Sequence, residues 1–151
     1  MEKKDQAVKS EKWYNKELSR EELKAFLEKA GAGKSNDQAF IGVVSQDAAK
    51  RIEAVCGKKI GKIMIESGGI RHSCRKSSHN LEEDDFLHIV DVVNTATEIK
   101  LSDKKHQNND CLFISKDIGG KITFVMEVRI HYGGWLALVT CYRKNRGGAT
   151  L

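Results

Sequence analysis

Proline is absent from the 151 residues, and no function follows from that absence. Aromatic residues make up only 7% of the chain, and no strand is studded with them. That weighs against a single-strand RNA platform built on stacking. The four cysteines, Cys56, Cys74, Cys111 and Cys141, include no CxxC pair. Their scatter excludes a zinc site of clustered ligands and suits small buried hydrophobes in a reducing compartment. No apolar run approaches the roughly 20 residues that a membrane span needs. The N-terminal MEKKDQAVKSEKWYNKE is charged and has no apolar core of a secretory signal. The expectation is a cytoplasmic protein with no membrane partner, no metal and no cofactor.

What is present describes an ordinary globular chain. A length of 151 residues suits one domain with a real core. Hydrophobic residues at 40% and charged residues at 31% are typical of such domains. The net charge of +5 is unevenly spread. Residues 40–80 carry eight Lys/Arg against three Asp/Glu, residues 81–103 one against seven, and residues 104–151 eight against three. Two basic blocks therefore flank an acidic one. If folding joins the basic blocks, they make a patch for a polyanion. A solvated surface with uneven lysine use accounts for the same composition.

Residues 1–18 read as a polar tail or a loosely held helix, and residues 19–151 as a single domain. Ser19 and Glu22 fit a capping box, with Leu23, Phe26, Leu27 and Ala30 at helical spacing behind it and Gly31 as a stop. The following GAGKSN is no phosphate loop, because Glu28 stands where the first glycine belongs and a helix precedes it. Residues 40–44 read as a strand. Ser45 caps a helix over 46–56 that ends at Gly57, and residues 60–65 read as a strand broken by Gly68-Gly69. Asn80 caps a further helix with Phe86, Ile89, Val90 and Val93 on its apolar face. Four strands follow, over 97–103, 111–116, 121–132 and 135–144. Helices first and sheet second point to an α+β domain, with N-terminal helices packed on a four-stranded antiparallel meander.

Gly133-Gly134 reads as a two-residue hairpin turn, which pairs Tyr132 with Trp135. Phe124, Met126, Val128, Ile130 and Tyr132 then share a core face with Trp135, Ala137, Val139 and Cys141. The opposite face holds Val125, Glu127, Arg129 and His131 beside Leu136, Leu138, Thr140 and Tyr142. This register sets Glu127 opposite Thr140 and Arg129 opposite Leu138. The mixed chemistry of that face, with apolar neighbours, suggests a partly covered cleft. Plain amphipathicity is the simpler account.

IRHSCRKSSH, residues 70–79, places His72 and His79 nearly two helical turns apart, with Arg75 and Lys76 between them. Neighbouring cations oppose a bound dication and suit a phosphate. Histidine gives or takes a proton near neutrality, and RNA cleavage without a metal needs a base, an acid and donors to the phosphoryl oxygens. A basic surface helix with incidental histidines is the bland alternative. His88 and His106 lack such a setting and read as structural or surface residues.

IRHSCRKSSH, the helix LEEDDFLHIVDVVNTA, LFISK and the pair KITFVMEVRIHYGGWLALVTCYRK, taken together over about residues 40–144, resemble the phage-associated nuclease domains of the barnase–EndoU–colicin–RelE superfamily. The resemblance implies a barnase-like α+β fold and a metal-independent ribonuclease, often a toxin in phage or bacterial conflict. It implies catalytic roles for His72, His79 and Thr140, with Arg75 and Lys76 on the phosphate. Glu127, Arg129, His131 and Tyr142 join as candidate binding residues from the face argument. The expected partner is RNA, and a cognate immunity protein or antitoxin is a second. A monomer is expected. Which histidine is base and which is acid stays open, as does a non-catalytic RNA-binding or protein-interaction module of the same fold.

Overall fold

The computed structural model describes residues 13–32, 37–75, 83–118, 120–130 and 133–144. Helix α1 (Arg20–Ala32) opens with the capping box: Ser19 N donates to Glu22 Oε1 at 2.8 Å, and Glu22 N donates to Ser19 Oγ at 3.2 Å. Strand β1 (Gln38–Val43) leads into α2 (Gln46–Cys56). Ser45 Oγ accepts from Ala48 N at the start of α2, and Gly57, left-handed at φ 76°, ends it. Strand β2 (Lys62–Glu66) runs directly into α3 (Ser67–Arg75). The strand ends just before Gly68-Gly69 as expected, and the two glycines lie in the first turn of a helix. The reason is packing: a Cβ on Gly69 would lie 2.5 Å from Leu138 O, so only glycine lets α3 approach the sheet this closely. Two 3-10 helices (Trp13–Asn15 and Glu83–His88) and α4 (Ile89–Thr95) complete the described helices.

The remaining strands are β3 (Glu98–Leu101), β4 (Cys111–Asp117), β5 (Lys121–Arg129) and β6 (Trp135–Lys144). The α+β class holds, but the sheet has six strands and is mixed, in the order β1-β2-β6-β5-β4-β3. The expected meander is only part of it. The pair β1–β2 is antiparallel and joins β6 in parallel, because Gly61 N and Lys62 N both donate to Gly134 O.

All four described α-helices contribute to one core with one sheet face, where residues such as Ile63, Ile114, Phe124 and Leu136 meet Leu27, Ile52, Ile70 and Phe86. Each such side chain contributes about 1.5–3 kcal/mol by leaving water. A second, smaller cluster lies apart from this core. Trp135, Phe40, Met64 and Ala137 form it with Trp13 and Tyr14, and Lys62 Nζ stands 5.2 Å from the Trp135 ring centre. Part of the segment expected to be a tail is therefore docked: Leu18 N donates to Phe40 O, and Trp13 packs on Trp135 at 5.1 Å. Residues 1–12 lie outside the described residues.

The hairpin register differs from the two-residue expectation. Glu127 pairs with Ala137 and Arg129 with Trp135, so β5 stops at Arg129 and the connection spans residues 130–134. Gly134, at φ 88°, is held against the backbone of Lys59 and is committed to β2, not to a tight turn. A three-residue shift is odd, so it turns the first half of β6 over. Leu136 and Leu138 enter the main core, and Trp135 and Ala137 share the face of Glu127. The extra residue Val139 then bulges between Leu138 and Thr140 and restores parity. Cys141 consequently stays in the main core, and Thr140 and Tyr142 stay on the face of Val125 and Thr123.

Candidate active site

Alternation along β5 sets Glu127 and Arg129 side by side on the face away from the helices. Glu127 is wholly buried, at 0% exposure. A carboxylate there demands partners, because an unpaired buried charge costs several kcal/mol. Arg129 supplies them: Nε and Nη2 donate to Glu127 Oε1 at 3.0 and 2.8 Å. The same guanidinium reaches across β6 to β2, where Nη1 and Nη2 donate to Glu66 Oε2 and Oε1 at 3.1 and 2.9 Å. Ala137 is the β6 residue aligned with both Glu127 and Met64, and its small side chain leaves that path open. Arg129 Nη1 also lies 3.7 Å from Met64 Sδ. Burial alone would raise the Glu66 carboxyl, but the hydrogen bonds and charge of Arg129 outweigh it and hold the group below its ordinary value.

The other oxygen of Glu127 faces a loop. His106 and Asn109 close a turn, His106 N to Asn109 O and Asn109 N to His106 O at 3.0 and 2.9 Å. Between them Gln107 and Asn108 take φ 50° and 68°, a left-handed pair that side chains seldom adopt. The turn brings both flanking side chains onto Glu127 Oε2. Asn109 Nδ2 donates to it at 2.8 Å, and His106 Nδ1 stands 3.4 Å away, buried and without a hydrogen bond of its own. The rest of the His106 ring is partly exposed.

These groups form the floor of a cleft of about 370 Å³. Gly68 and Gly69 line it as well, so the first turn of α3 brings the positive end of that helix to the cleft, and Leu138 and Val139 add apolar lining. Two carboxylates and one guanidinium leave a formal charge of −1 with His106 neutral and zero with it protonated. Chemically, the cleft floor sets a buried carboxylate, fixed by one cation, 3.4 Å from the Nδ1 of a partly exposed imidazole. Cys111, paired with Glu127 across the strands, is buried, and burial followed by the Glu127 charge pushes its thiol upward. Among the described residues, no group of three or more His, Cys, Asp or Glu is arranged to hold a metal ion.

No family model, curated protein or solved structure matches this chain. The site therefore rests on its own geometry.

Of the residues expected from sequence, Glu127 and Arg129 meet in the cleft. Thr140 shares their sheet face beside Val125, but its Oγ1 is buried without a hydrogen-bond partner and it is not part of the cleft lining. Tyr142 stands opposite Thr123, four residues along β5 from Glu127, and lines a separate hollow. His72 and Arg75 fall on α3, with side chains outside the described residues, and Lys76, His79 and His131 lie outside them altogether. His106, expected as a structural or surface residue, has a partly exposed side chain and lines the cleft beside Glu127. Glu66 and Asn109 were not among the residues expected from sequence. The available signal was Glu127 itself, a lone acid in the apolar run ITFVMEVRI, which must find partners from elsewhere.

Proposed function

We propose that the chain is a metal-independent endoribonuclease with Glu127 and His106 as its acid–base pair. In this reading Glu127 takes the proton of a ribose 2′-hydroxyl. The oxygen attacks the adjacent phosphorus, the bond to the 5′-oxygen breaks, and protonated His106 delivers a proton to that leaving oxygen. The products are a 2′,3′-cyclic phosphate and a 5′-hydroxyl. The starting protonation is regained when Glu127 passes its proton to His106. Arg129 fixes the carboxylate and offsets charge on the phosphate. The α3 N-terminus adds positive potential at the same place. The barnase-like assignment of the fold, the phage or toxin setting, cytoplasmic residence, a monomeric state and an inhibitor protein as partner belong to this same proposal. No described helix is long and apolar enough to cross a membrane.

The observation that carries the proposal is the wholly buried Glu127 carboxylate, with one oxygen pinned by Arg129 and the other facing His106 at the floor of a cleft. The test is cleavage of total RNA in EDTA. Glu127→Gln and His106→Ala should each lower the rate by about 10²–10⁴-fold. His72→Ala and Thr140→Val, run alongside, measure the share of the residues suggested by resemblance. Wild-type cutting that survives Glu127→Gln unchanged removes the proposal.

A second reading has one observation in its favour. Every arm of the Arg129 guanidinium is engaged by a carboxylate or by Met64, which suits a structural network in a non-catalytic RNA-binding or interaction module. Salt-sensitive RNA binding by the wild type without turnover would select that reading.

A further inference from the structure

Beyond the cleft, the face of β3 to β6 opposite the core carries a second hollow, of about 170 Å³. Its floor is a hydroxyl pair: Ser115 Oγ and Thr123 Oγ1 lie 3.0 Å apart, both buried. Phe113 on β4 and Tyr142 on β6 line it from either side of β5 and are only half-buried. Lys100 and Lys121 line it as well and are exposed. Their ammonium groups share the single carboxylate of Glu98, at 3.1 and 3.4 Å, which leaves one positive charge in excess. The pairing registers put these residues in two rows, Lys100–Phe113–Val125–Thr140 and Glu98–Ser115–Thr123–Tyr142. These rows continue the row of Cys111, Glu127 and Ala137. Thr123 is four residues from Glu127 on the same face, roughly 14 Å along the strand. An extended strand of a few nucleotides covers that distance.

We infer that this hollow is a nucleobase subsite for the single-stranded RNA that the cleft would cut. The inference rests on the ribonuclease reading and deepens it. Two aromatic side chains offer faces on which a base stacks whatever its identity. The hydroxyls below offer both donors and acceptors to a base edge. The excess ammonium charge suits the phosphate that follows. Aromatic residues are few in this chain, and the sequence hid the arrangement because Phe113 and Tyr142 belong to different strands that only folding makes neighbours of β5.

The test uses a pentanucleotide with 2′-deoxyribose throughout, which lacks the attacking hydroxyl, so binding is read apart from turnover. Phe113→Leu and Tyr142→Leu keep apolar bulk for folding and remove the ring, and each should weaken binding about tenfold. Tyr142→Phe keeps the ring and should bind as the wild type does. Lys100→Ala should flatten the salt dependence of binding by about one phosphate contact. Cleavage of a dinucleotide, too short to reach the hollow, should stay at the wild-type rate in all of these variants. Wild-type affinity in both leucine variants overturns the subsite and leaves the ribonuclease reading intact. A wild type that binds the pentanucleotide but cuts no RNA, with binding lost in the leucine variants, keeps the subsite and removes the ribonuclease. If Tyr142→Phe loses as much as Tyr142→Leu, the ring is not what binds, and the stacking claim falls.

Discussion

Among the described residues, two carboxylate–guanidinium pairs each hold a buried carboxylate, and they differ in what surrounds them. Asp85 and Arg143 meet at 2.7 Å with side chains only 5% and 3% exposed. Arg143 Nη1 also donates to Ile118 O and Gly120 O at the β4–β5 turn. That pair is almost wholly buried and ties the helix Glu83–His88 to β6. Glu127 and Arg129 are just as tightly bonded, yet they sit under a cleft, with an imidazole facing the second carboxylate oxygen. The same chemistry is enclosed at one point and lies at the floor of a cleft at the other. The contrast lies in what faces the ion pair, not in the pair itself, and the proposed function draws on that difference.

The largest effect that tests this contrast is on stability. Asp85→Ala leaves the Arg143 charge buried without its partner and should cost about 3–5 kcal/mol in urea unfolding. Glu66→Gln, at the half-exposed end of the cleft network, should cost less than half of that. Equal losses would mean that the two networks play the same structural part.

A smaller effect is expected with acid. The Glu66 carboxyl is held below its ordinary value of 4.5 when folded, so the unfolded chain binds the extra proton first. The stability it contributes is present above pH 4.5 and fades as pH falls through the lowered folded value. Unfolding followed between pH 5 and pH 3 should show a shallower loss in Glu66→Gln than in the wild type. Identical slopes would show that Arg129 does not hold Glu66 as described.

The smallest effect calibrates the others. Ser45→Ala removes the α2 cap, far in sequence from both pairs, and should cost about 1 kcal/mol without changing RNA cleavage. If its cleavage fell as far as that of Glu127→Gln, activity would be tracking stability and the chemical distinction between the two pairs would collapse.

What could be read from the sequence was what local forces decide. The capping box of α1 and the Ser45 and Gly57 ends of α2 involve residues within one helical turn of each other, and the structure has them as expected. The placement of Glu127 and Arg129 on one face needed only strand alternation. The register of β6 was not legible, because it is set by Gly134 meeting Lys59, Gly61 and Lys62, more than 70 positions earlier in the chain. His106 was not legible for a related reason. Its position beside Glu127 depends on a left-handed turn at Gln107-Asn108 that folds a polar loop onto a strand twenty residues away, and no periodicity announces it.

Strand β6 is the last of the six to be synthesised, yet it stands third in the sheet, between β2 and β5. While the nascent chain is still growing, β2 has only β1 for a neighbour and β5 only β4, and Trp13 has no Trp135 to rest on. Glu66 and Arg129 stay on separate pieces until that strand arrives. For the ribonuclease proposed above, this order of assembly would withhold a complete cleft until β6 has taken its place between β2 and β5.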